Sequence, residues 1–194
     1  MRLNRLPYLS VLLLALGGQA FAHGFHYQLD VASQLQENAN GELTGVRMNW
    51  FYDTEVTDML LEGEDLSAAK RAETLQTIGQ QVIADLGKLH YFTNLSLDGK
   101  PLALAAATDF HMDLSPDNHL NLNFLLPLPA AQDLHGKHLD ITMADSTGSA
   151  ILIYKDVSRI RLGEKLAAAC TLTLQDRQAF ADGEPAQLLR MQCQ

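Results

Sequence analysis

The sequence lacks the short signatures that mark a catalytic centre. It has no G-x-S-x-G elbow, no Walker loop, no G-x-G-x-x-G and no H-E-x-x-H, the patterns that present a nucleophile, cradle a phosphate or bind a catalytic zinc. Its 23 carboxylates are scattered, so no acid and base pair can be named, and an enzyme is not expected. Basic residues are scarce, with 14 Lys and Arg against 23 Asp and Glu. That sign argues against nucleic acid and anionic membrane surfaces, which attract Lys/Arg patches, and it is compatible with a cation partner. No stretch reaches the about 20 consecutive apolar residues that span a bilayer. No repeat, low-complexity tract or Pro/Ser linker divides the chain, and cysteine is limited to Cys170 and Cys193.

The longest apolar run belongs to a leader. Arg2 and Arg5 give it a basic start, residues 8–16 (YLSVLLLAL) an apolar middle, and Ala20-Phe21-Ala22 a small-x-small end. This is the pattern of a secretory signal peptide, residues 1–22, cleaved after Ala22. The mature chain, residues 23–194, is then expected to be a single periplasmic domain, its length being ordinary for one core. No cysteine follows the leader to carry a lipid anchor, and no membrane insertion is expected after cleavage. The leader holds two of the 14 basic residues and none of the acidic ones, so the mature chain carries 12 against 23, a net charge of −11. In an oxidising periplasm, an even pair of cysteines reads as one disulfide more readily than as a metal site. A Cys170–Cys193 bond would tie the C-terminal tail back onto the domain.

Hydrophobic periodicity predicts strands on both sides of a helical insert. Residues 25–35 alternate loosely, ENANG at 37–41 is a turn cluster, and Leu43, Val46, Met48 and Trp50 follow, so the first two strands form a hairpin. Leu75, Ile78, Val82, Leu86 and Leu89 recur at helical spacing, with Ser67 as the expected N-cap and Thr54 opening a shorter helix. Short strands are expected again at 91–97, 102–114, 120–126, 139–144 and 150–157, with a turn at Asp98-Gly99-Lys100-Pro101. The predicted fold is α+β, a mainly antiparallel sheet or sandwich with a helical insert over about residues 54–89.

Seven histidines remain as candidates for chemistry: His23, His26, His90, His111, His119, His135 and His138. For any one of them alone, a surface or capping role is the default. If Phe110, Met112 and Leu114 face the core with Leu120, Leu122 and Phe124, the loop is 115–119, and His111 and Asp113 point to the opposite face. His23 differs in kind. After cleavage it carries a free α-amine with a reference pKa near 7.7 to 8.0 that a metal can deprotonate, beside its own imidazole and three residues from His26. Gly24 lets the backbone turn tightly between them. A ligand-free terminus is the competing reading, since chain ends are usually mobile.

The order of several motifs resembles the bacterial family known as domain of unknown function 1007. They are Ala22-His23-Gly24-Phe25-His26-Tyr27-Gln28-Leu29-Asp30, Trp50-Phe51-Tyr52-Asp53, Tyr91-Phe92-Thr93, Asp98-Gly99-Lys100, Thr108-Asp109-Phe110, and Leu120-x-Leu122-x-Phe124 followed by Pro127. The resemblance implies a periplasmic component related to ABC-type transport and associated with nickel, cobalt or zinc permeases. It also implies N-terminal histidines as metal ligands. Through Asp145-Ser146-Thr147-Gly148 it carries over Asp145 as a third ligand; failing that, His111 from the strand-face reading would complete the shell. The acidic segment Glu62-Gly63-Glu64-Asp65 is too short for an EF-hand, so calcium is not expected.

Two functions are therefore on the table. The first is a periplasmic binding protein for a divalent transition metal, accessory to an inner-membrane metal permease or ABC transporter. Its ligands would be His23, His26 and Asp145, with zinc the first expectation and nickel, cobalt or copper the others. The second is a non-catalytic interaction or structural module of the envelope that binds no metal.

Overall fold

Alternation along the first two strands decides where the core lies. In the computed structural model, which describes residues 27–146, 148–178 and 185–194, β1 (Tyr27–Glu37) buries Leu29, Val31, Ser33 and Leu35, and β2 (Leu43–Tyr52) buries Val46, Met48, Trp50 and Tyr52. They pair antiparallel with Val31 opposite Trp50. Asn38 makes the turn between them, its Oδ1 accepting from the amides of Asn40 (2.9 Å) and Glu42 (3.1 Å). An asparagine side chain closing a local turn in this way fixes the hairpin as expected.

The insert consists of α1 (Thr54–Leu61) and α2 (Arg71–Lys88). Asp53 caps α1, its Oδ1 accepting from the Val56 amide at 2.9 Å. Ser67 is not the cap of α2. The helix starts at Arg71 after Lys70, without a side-chain cap, and Ser67 instead supplies its backbone carbonyl to the amides of Lys70 and Arg71. The buried stripe of α2 is Leu75, Gly79, Ile83 and Leu86, with Ile78 and Val82 partly buried and Leu89 past the helix end. Gly79 lets α2 approach β5 (Thr108–Leu114), since a Cβ there would lie 3.0 Å from Met112 Cβ.

After α2 come β3 (Thr93–Leu97), β4 (Lys100–Leu102), β5, β6 (Leu120–Gln132), β7 (His138–Met143), β8 (Ala150–Ile153), β9 (Ile160–Leu162), α3 (Glu164–Ala169), β10 (Cys170–Gln178) and β11 (Pro185–Cys193). Asp98 and Gly99 both have positive φ (48° and 75°), the backbone of a two-residue hairpin turn. The expected strand over 102–114 is two strands, because residues 103–107 leave the ladder. The loop between β5 and β6 is the predicted 115–119, closed by Ser115 N–H to the His119 carbonyl at 2.9 Å.

Two sheets result. One has the order β5-β6-β2-β1-β8, with β9 also pairing β1, and the other runs β10-β11-β7-β3-β4. Most pairs are antiparallel, whereas β1 pairs in parallel with β8 and then with β9 along its far edge. The fold is therefore α+β, as the alternating and helical patterns predict, with a mixed sheet at its centre. The inner faces of both sheets and the helical insert share one core. At its centre Trp50 stacks on Phe92 (6.2 Å between centroids) and meets Phe124 edge-on (5.2 Å). Gln187 on β11 stitches the sheets together, accepting from the Tyr154 amide (2.7 Å) and donating to the Tyr154 carbonyl (3.2 Å).

Candidate functional site

Asp145 lies at the end of the mixed sheet where β1 begins. Parallel pairing sets Tyr27 opposite Ala150, and the Tyr27 amide donates to the Ser149 carbonyl at 2.9 Å. The loop entering β8 is organised by Asp145, the one buried charged residue among the described residues, at 3% exposure. Its Oδ2 accepts from the amides of Ser149 (3.1 Å) and Ala150 (2.9 Å). A buried carboxylate held by backbone donors is oriented before any ligand arrives.

The electrostatics tie Asp145 to β1. Burial, first, and the charge of Asp145, second, push the Tyr27 phenol above its ordinary value. Tyr52 is pushed higher still, by burial and then by Tyr27. His119, the loop residue just before β6, belongs to the same end, with its Nδ1 3.2 Å from the Tyr52 carbonyl oxygen. Asp145, Tyr27, Tyr52 and His119 thus form a chain of polar groups across four strands' ends. Beside it an apolar groove of about 240 Å³ runs between sheet and helices, lined by Tyr27, Tyr52, Val56, Met59, Leu60 and Leu89 among others.

His23 and His26 lie outside the described residues. In the sequence His26 is the residue before Tyr27. His111 and Asp113 do point away from the core, with Met112 buried between them. Asp113 accepts from Asn121 Nδ2 at 3.0 Å rather than facing His111 alone. The registers set His111 level with Ala32. That is about 17 Å along β1 from Tyr27 and three strand spacings, about 14 Å, across the sheet. His111 and Asp145 therefore cannot share one ion. His138 pairs with Asp98 at 3.0 Å, while His90 and His135 are exposed. Among the described residues, no three His, Cys, Asp or Glu side chains converge as a metal-binding group.

Sequence reading does not single out Tyr27, Tyr52 or His119 as site residues, and the meeting of Tyr27 with Asp145 depends on the parallel β1–β8 pair. Cys170 and Cys193 sit directly opposite each other on β10 and β11 and form a disulfide. Among the described residues, no helix is long and apolar enough to cross a membrane.

A model of the family described as "Protein of unknown function (DUF1007)" matches residues 8–189. The chain belongs to this family. The DUF1007 match takes in Asp145, Tyr27 and both sheets and stops short of Cys193. No curated protein matches the chain.

Proposed function

We propose that this protein binds a divalent transition metal, zinc first, at the β1 end of the mixed sheet. His23 and His26 would supply nitrogen ligands and Asp145 an oxygen. The reading includes export to the periplasm with cleavage after Ala22, and service to an inner-membrane metal permease. The observation that carries it is the position of Asp145, buried beside Tyr27, one residue from His26 in the chain. Two amides fix this carboxylate, the part that outer-shell partners play for a ligating carboxylate. Nitrogen and carboxylate donors together suit zinc, with nickel, cobalt and copper as competitors for the same donors. The disulfide suits an oxidising compartment.

Calorimetry with zinc, nickel, cobalt and copper on the chain beginning at His23 tests the reading. His23→Ala/His26→Ala should abolish tight binding, and Asp145→Asn should weaken it. One added N-terminal glycine should weaken it too, because it moves the amine away from His23. Affinity should fall steeply between about pH 7.5 and about pH 5.5, where protons compete for imidazole and amine. Equal binding by the double-alanine form and the parent would instead favour the envelope module that binds no metal at this end.

A further inference from the structure

The outer face of the mixed sheet, turned away from the core, carries a second feature with the opposite charge to the chain as a whole. Register aligns Ala32 with Asn49 and Asn49 with Asn123 across β1, β2 and β6. The next row aligns Arg161, Gln34 and Arg47 across β9, β1 and β2. These side chains, with Phe51, Ser158 and Arg159, line a cleft of about 290 Å³. The small side chain of Ala32 leaves its floor open.

Three guanidinium groups meet there in a chain of net charge −9. Arg47 is partly spoken for, pairing with Asp109 and donating to Asn123 Oδ1 at 2.7 Å. Arg159 lies over the Phe51 ring, 5.0 Å from its centroid. Its Nε is buried without a hydrogen-bond partner. Among the described residues, no carboxylate comes within salt-bridge distance of Arg159 or Arg161. The nearby acids are engaged elsewhere. Asp30 pairs with Lys155 at 2.7 Å. Asp156 is held below the ordinary carboxylate range mainly by the Ser158 side chain and amide, and only last by Arg159.

Two guanidinium groups that line one hollow without a carboxylate partner invite an anion. The guanidinium fork matches the oxygens of carboxylates and phosphates. Asn49, Asn123 and Ser158 add neutral polar groups at the rim. The volume is at the low end for ligand pockets, which selects a small solute over a nucleotide or a peptide. We propose that the outer face of the mixed sheet binds a small multivalent oxyanion, a phosphate or a di- or tricarboxylate, gripped by Arg159 and Arg161 above Ala32. The site is independent of the metal reading, because Ala32 faces the opposite side of β1 from Tyr27 and five residues further along.

Titration of the metal-free chain beginning at His23, at low salt, with inorganic phosphate in one arm and citrate in the other, tests the proposal. Saturable one-to-one binding is expected in at least one arm, and the arm that binds assigns the phosphoryl or the polycarboxylate class. Arg159→Gln and Arg161→Gln should each weaken it about tenfold or more, the effect of losing one charge-assisted hydrogen bond. Ala32→Leu, which fills the floor without changing charge or core, should abolish it. Arg71→Gln, an exposed arginine on α2, should leave affinity within about twofold, as expected for a remote, solvent-screened charge. An unchanged far-UV spectrum and melting temperature show that a variant is folded. The proposal is overturned if neither anion binds saturably, or if the folded Ala32→Leu or the arginine variants bind like the parent.

Discussion

Tyr154, just after β8, is tied to β1 through its phenol, and that bond depends on pH. Its hydroxyl donates to Ser33 Oγ at 3.0 Å. Burial pushes it up to about 12, partly offset by that hydrogen bond. In the unfolded chain the same group titrates near 10. A folded value above the unfolded one means that the stabilisation is whole below about pH 10 and is lost as pH rises towards about 12, roughly 2 to 3 kcal/mol in all. Tyr52 is raised for the same reason and acts in the same direction. Urea unfolding at pH 8 and pH 11 should show a clear loss of stability at the higher value, and the slope should shrink in Tyr154→Phe. A second prediction concerns Asp145. Asp145→Ala leaves the amides of Ser149 and Ala150 without this acceptor and should cost about 1 to 3 kcal/mol in a urea titration. Asp145→Asn keeps an acceptor oxygen and should cost less. A loss of metal affinity in Asp145→Asn without a comparable loss of stability would separate ligation from folding.

At the scale of elements, the packing of α2 depends on a single small residue. A Cβ at Gly79 would meet Met112 Cβ at 3.0 Å, so Gly79→Leu must push the helix off β5. An overpacking cost of about 1 to 3 kcal/mol is expected, read as a lower melting temperature. Gly79→Ala should cost less, because Met112 needs to move only a little. The sequence made this helix legible through its period, but not its contact line. Ile83 is buried where Ile78 and Val82 are only partly so, a difference of one helical step that depends on where β5 sits. The first hairpin and the 115–119 loop were readable because alternation and turn residues are local. The parallel pairing of β1 with β8 and β9 was not, since no local period encodes a partner more than a hundred residues away. For the same reason Asp145 was reachable only through a motif, and Tyr27 and Tyr52 were read as motif residues without their place beside one site.

On the scale of the whole molecule, the disulfide closes the last hairpin at its open end. Cys170 and Cys193 are 23 residues apart, and a loop of that size is worth about 3 kcal/mol through the entropy of the unfolded chain. Denatured, non-reduced protein should show no free thiol to a labelling reagent, and Cys170→Ala/Cys193→Ala should lower unfolding stability by about that amount. Two labelled thiols in untreated protein would contradict the bond. The parallel edge of β1 has a different consequence, one of timing. A chain that emerges from its N-terminus presents β1 and β2 early, yet the strands that cover the other edge of β1 begin only at Ala150 and Ile160. Until then β1 offers a row of unpaired amides and carbonyls, the kind of edge that recruits other strands. Contacts this distant in sequence slow folding. Refolding should therefore be limited by the docking of β8 and β9, with the Tyr27–Asp145 end assembled in the same late step, so that a partly made chain holds both halves of that end apart.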